Sequence, residues 1–186
     1  VSWSRGLGDV YKRQGYRGLS SHGATIGIIL SIIHYKIKYK YESVLWIFDR
    51  LVIVVAFGGM LVRIGNFFNS EIVGNYTNSN FGVIFLNRSE TLPRHPAQLY
   101  ESFGYLILFI ILYTLYHKTK LRDKKGFFFG FFLIFLFGVR FVVEYVKESQ
   151  GGIENYLGLL TTGQWLSIPF MLIGLIILLR SNLKNI

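Results

Sequence analysis

Apolar runs separated by short charged segments are the strongest constraint on what this chain can fold into. About 20 apolar residues cross the hydrocarbon core of a bilayer. Five stretches approach or reach that length, over residues 21–35, 44–62, 97–116, 127–146 and 164–179. Composition points the same way. The 186 residues are 52% hydrophobic, with 17 Phe and 12 Tyr, and the mean hydropathy is +0.42. An ordinary soluble domain is less apolar than this. The pattern predicts an all-α fold, a polytopic transmembrane helix bundle of about five spans. Residues 1–14 carry neither a signal-peptide core nor a span and read as a foreign or mis-joined N-terminus. Residues 15–186 then hold the membrane-embedded domain. The first residue is not Met, which fits a truncated chain.

The formal charge of +10 raises the question of nucleic acid. The cations build no basic face and no nucleic-acid motif; they cluster in the segments between spans. Lys36, Lys38 and Lys40 follow the first span. Lys118, Lys120, Arg122, Lys124 and Lys125 separate the third from the fourth, and Arg180 and Lys184 end the chain. The positive-inside rule assigns all three groups to the cytoplasmic side. Segments 63–96 and 147–163 then face outward, and the C-terminus faces the cytoplasm. The chain has no cysteine, so it offers no disulfide, no cysteine metal site and no thiol nucleophile of its own. The histidines at 22, 34, 95 and 117 lack ligand spacing, and no metal is expected.

This orientation gathers polar residues from distant parts of the chain at one depth, near the outer headgroup level. His22 opens the first span and Arg63 closes the second. His95 and Gln98 start the third, Arg140 and Glu144 lie in the last turns of the fourth, and Gln164 opens the fifth. Polar groups at a membrane boundary are costly unless paired or wet, and so mark candidate sites. Each also has a plainer reading. Arg63 can snorkel to the interface, but the following Gly65, Asn66, Asn69 and Glu71 are not needed for that. Arg140 and Glu144, four apart on one helix face, can form an ion pair that eases insertion, or hold an anion with the guanidinium fork. His22 is a hydrogen-bonded helix-start residue or a proton acceptor. His95-Pro96 is a helix start, with Pro in the first turn. Asp49 and Arg50, near the inner end of their span, pair locally. Gly65 and Gly74 suggest tight bending or close approach of a ligand.

The residues at 62–74, Val62-Arg63-Ile64-Gly65-Asn66-Phe67-Phe68-Asn69-Ser70-Glu71-Ile72-Val73-Gly74, closely resemble a signature of bacterial prolipoprotein diacylglyceryl transferases, Gly-Arg-Ile-Gly-Asn-Phe-x-Asn-x-Glu-x-x-Gly. Further matches follow in order at 18–23, 94–101 (Arg-His-Pro-Ala-Gln-Leu-Tyr-Glu), 140–144 and 162–169. Three positions depart. Val62 stands for the family's Gly, Leu136 for a frequent Tyr, and Lys147 for the usual Arg. The family has seven spans, so the resemblance implies that the first two are absent here.

The resemblance implies an enzyme of the bacterial cytoplasmic (inner) membrane, without cofactor, acting at the outer leaflet in the first step of lipoprotein maturation. Its partners are phosphatidylglycerol, the prolipoprotein signal peptide with its lipobox cysteine, and membrane lipids. The diacylglyceryl group passes to the cysteine thiol, a thioether forms and glycerol phosphate leaves. Carried over residue by residue, the catalytic set is His22, Arg63, Asn66, Glu71, Gly74, Arg140 and Glu144. Arg63, Asn66 and Arg140 bind the headgroup, with His95, Gln98 and Gln164 in support. A transporter or channel subunit is the competing class. Such pathways place charges near the midplane and show repeats, whereas here the polar groups gather at one leaflet and no repeat is visible.

Overall fold

A computed structural model describes residues 21–40, 43–148 and 160–183. Among the described residues there are five α-helices: α1 Ser21–Tyr39, α2 Val44–Phe68, α3 Ala97–Lys118, α4 Phe127–Val143 and α5 Thr162–Leu183. The last four are long and apolar enough to cross a membrane. The chain forms a helical membrane bundle. It divides into two compact units, Val1–Val44 and Leu45–Ile186. The first contains α1, whose last turn carries Lys36 and Lys38, cations that suit the negative end of a helix dipole. Residues 1–14 lie outside the described part.

The second unit is held by α2, α3 and α4. Val52 and Ala56 of α2 meet Leu108 and Leu112 of α3 and Phe128, Phe132 and Leu133 of α4 in one buried cluster. In lipid the hydrophobic effect does not drive helices together, so close packing and interhelical hydrogen bonds must do so. Small residues make the close contacts. A Cβ on Gly104 of α3 would stand 2.6 Å from Val139 of α4. At the α4–α5 crossing, a Cβ on Gly130 would lie 2.8 Å from the Gly174 carbonyl oxygen, and one on Gly174 lies equally close to the Gly130 oxygen. Phe137 and Phe170 stack across the same seam at 4.4 Å.

Asp49 does not pair with Arg50. Its carboxylate, 2% exposed, reaches from α2 to the start of α4 and accepts hydrogen bonds from Gly126 N (2.6 Å) and Phe129 N (2.8 Å). The first amides of a helix have no partner within the helix. The residue at the head of α4 is Gly126, with φ +92°, and has no side chain to cap with, so α2 supplies the cap. Arg50 instead donates to Trp46 O (2.9 Å) and lies over the Trp46 ring at 3.4 Å.

Removing this cap should be costly. Asp49→Ala is expected to destabilise the bundle by roughly 2 kcal/mol, the upper end for a lost N-cap. Asp49→Asn, which keeps one acceptor oxygen, should lose less. Thermal unfolding in detergent measures both; equal losses would show that the charge, not the cap, matters.

Candidate functional site

The signature begins inside a helix. Arg63 lies on α2, which continues through Gly65 to Phe68. The backbone does not bend at Gly65, and a Cβ there would meet nothing within 4 Å. The departing Val62 side chain has room, being 61% exposed. Past Phe68 the chain turns back on itself: Asn69 N bonds Gly65 O (3.0 Å) and Glu71 N bonds Asn66 O (2.9 Å). Ser70 and Ile72 both take φ +56°. The left-handed region is unfavourable for a β-branched residue such as Ile72, and such strain persists only where surroundings over-determine it.

Those surroundings are the next residues. Gly74 N donates to His95 O (2.9 Å), Asn75 N to Val146 O (2.8 Å) and Glu148 N to Val73 O (3.2 Å). The signature is thus clamped between the segment entering α3 and the one leaving α4. Gly74 is required by this close approach and not by its φ: a Cβ would fall 2.6 Å from His95 Cβ and 2.7 Å from Val146 O. Gln98 Nε2 donates to the Glu71 carbonyl.

Within this frame lies a buried chain of charges. Arg63 Nε pairs with Glu101 on α3; their side chains are 14% and 2% exposed. Lys147 Nζ stands 3.7 Å from the other Glu101 oxygen and 3.4 Å from Glu144 Oε2. The Glu144 carboxylate packs directly against Gly163 at the start of α5, where any side chain would collide with it. Tyr105, one turn below Glu101 and 3% exposed, turns its hydroxyl toward Arg63, with Arg140 also in electrostatic reach. Two carboxylates thus meet two cations, and the half-buried Arg140 adds a further positive charge. Among the described residues Arg140 has no ion pair; its guanidinium lies 5.9 Å from the Phe137 ring. The excess positive charge suits an anion.

The structure brings Arg63, Gly74, Glu144, His95, Gln98 and Gln164 into one connected region. Their parts differ. Glu144 forms its ion pair with Lys147 rather than with Arg140. Gln164 Nε2 donates to Phe141 O (3.3 Å), and its oxygen accepts from Thr161 N (3.1 Å), so it joins α5 to α4. His95 Nδ1 lies 3.2 Å from the Tyr100 hydroxyl. Glu71 enters through its backbone, with its side chain exposed, and Asn66 is half-buried. His22 belongs to α1, and its side chain lies outside the described residues. Sequence reasoning passed over Glu101 and Lys147. A glutamate three residues after Gln98, at the depth of Arg63 and opposite in charge, was the available signal.

Outside this chain of charges, Arg94 staples the surface segment. It is 4% exposed, pairs with Glu90 (2.6 Å) and Glu148 (3.0 Å), donates to Gly74 O (3.0 Å) and lies over Tyr76 at 3.8 Å. Arg88 contacts both carboxylates as well.

Comparison with known proteins places the chain in a family. The profile of the family described as "Prolipoprotein diacylglyceryl transferase" matches residues 9–180. The chain belongs to this family. A relative from Tolumonas auensis, named phosphatidylglycerol--prolipoprotein diacylglyceryl transferase, is 45% identical over 164 residues, 88% of this chain and 62% of the relative. Relatives of the same name from Bacteroides fragilis and Chlamydia trachomatis are 42% and 41% identical over 90% of this chain. They are matched over 60% and 63% of their own lengths. The chain therefore spans about three-fifths of the length of these relatives.

Two outcomes follow from this geometry. Gly74→Ala should force the signature away from residues 95 and 146 and destabilise the protein by about 1–3 kcal/mol, as overpacking does; thermal unfolding reads it. The bonded Arg94 guanidinium holds the Glu90 carboxyl below its ordinary value of 4.5. A depressed carboxylate stabilises the fold above its unfolded value, and that contribution is lost as pH falls through the folded value. Amide exchange in residues 74–94 should therefore speed up as pH drops below 4.5, after correction for intrinsic rates. Arg94→Gln should show faster exchange already at neutral pH.

Proposed function

We propose that this protein transfers the diacylglyceryl group of phosphatidylglycerol to the lipobox cysteine thiol of a prolipoprotein. It would do so as a multi-pass protein of the bacterial cytoplasmic membrane, with its site toward the outer leaflet and its C-terminus in the cytoplasm. The observation that carries this reading is the buried chain Arg63–Glu101–Lys147–Glu144 beside Arg140, in a chain of this family. The loop cations at 36–40 and 118–125 support the orientation.

In the reaction the cysteine sulfur attacks the glyceryl carbon. A C–S bond forms, the C–O bond to phosphate breaks, and glycerol phosphate leaves with the electron pair. Arg63 and Arg140 hold the phosphate and take up the charge that grows on it, a form of stabilisation that is often the largest catalytic term. Asn66 bonds the headgroup, and Glu144 acts through Lys147. The sulfur must lose its proton because the thiolate is the nucleophile, and free cysteine has a pKa of about 8.5. His22 is the candidate base.

Membranes containing the protein should add one lipid-sized mass to the cysteine of a lipobox peptide when phosphatidylglycerol is present. Arg140→Ala should lower the rate on the order of a hundredfold or more, as loss of one oxyanion donor does. Near-normal transfer by that variant would end the phosphate-clamp reading. An unchanged pH–rate profile in His22→Gln would remove His22 as the base.

A further inference from the structure

We infer that Glu101 and Lys147 are positioning residues for Arg63, acting as one unit that links its guanidinium to the backbone of the signature. The inference rests on the proposed function and adds two residues to the site. Glu101 meets Arg63 through Nε. The ion pair with Glu101 on α3 and the neighbouring Tyr105 hydroxyl restrict the guanidinium to the α3 side of the site. An arginine held in this way presents a rigid fork. An unheld one would lose rotamer freedom each time it bound an anion.

Lys147 completes the unit. Its ammonium stands between Glu101 and Glu144, 3.7 and 3.4 Å away, and its side chain is 8% exposed. Its backbone forms an antiparallel bridge with Gly74, and its neighbours Val146 and Glu148 bond Asn75 and Val73. A single residue thus connects the signature backbone, α3 and the end of α4. Without Lys147, Glu101 would keep only Arg63, and Glu144 would have no ion pair among the described residues. A change there reaches Arg63 only through Glu101.

The test compares Glu101→Gln, Lys147→Met and Lys147→Arg in the full chain, with transfer to a lipobox peptide measured per folded molecule at saturating phosphatidylglycerol. Folded protein is counted from the monodisperse peak in detergent. Positioning predicts a fall in kcat for Glu101→Gln and Lys147→Met, on the order of a hundredfold for an Ångström-scale misplacement, with KM for the lipid changed far less. Lys147→Arg should keep the rate of the unaltered protein. A merely structural role would reduce the amount of folded protein and leave the rate per folded molecule unchanged, and that result would overturn the inference. If Glu101→Gln yields no folded protein, the Lys147→Met and Lys147→Arg pair decides alone, because equal rates in those two also overturn it. Absence of transfer by the unaltered protein would instead overturn the proposed function. The positioning claim then has its own readout, thermal stabilisation by phosphatidylglycerol micelles over phosphatidylcholine micelles. Glu101→Gln should abolish that difference and Lys147→Arg should keep it; a difference kept in Glu101→Gln counts against the claim.

Discussion

A charge deep in a bundle of apolar helices cannot stand alone, and the architecture of the second unit follows from how this chain meets that requirement. Arg63, Glu101, Lys147 and Glu144 lie on three different segments, yet each has an opposite charge beside it. Burying an ion costs several kcal/mol, and removing one member of a buried pair typically costs about 3–5 kcal/mol. The pairs are therefore poor sources of net stability but strong determinants of register. Slide α2 against α3 by one turn and Arg63 loses Glu101. Lift the end of α4 and both carboxylates lose Lys147. The Gly74 contact reinforces this, because it admits the segments at 95 and 146 only where a side chain is missing.

The fold was largely legible from hydropathy. Apolar runs of sufficient length can only be helices in lipid, and the four spanning helices fall on the runs read from the sequence, with ends shifted by a few residues. The gathering of Arg63, His95, Gln98, Glu144 and Gln164 was legible too, because span alternation sets depth. Depth does not set pairing. Arg140 and Glu144 share a face by spacing, but the 3₁₀ turn over Glu144–Val146 redirects the glutamate toward Lys147. Asp49 and Arg50 are neighbours in sequence, yet the aspartate is drawn away by amides 77 and 80 residues later. Such choices depend on which helices touch, and that is a property of packing rather than of pattern.

The surface segment between α2 and α3 shows a different economy. It carries no long strand or helix and is tied by isolated bridges at Gly74, Tyr76, Val83 and Arg94. Its near-balance of charge could be read as indifference. Instead it reflects a network in which Arg88 and Arg94 share Glu90 and Glu148. Arg94 also reaches the Gly74 carbonyl, so the same segment that meets water braces the strained turn at Ser70 and Ile72.

The crossing of α4 and α5 has a consequence for traffic. At Gly130 and Gly174 the two backbones come so close that not even a methyl group fits between them, and Phe137 and Phe170 close the seam further along. An acyl tail is wider than a methyl group. At this level the seam between the two helices is therefore closed to a lipid tail.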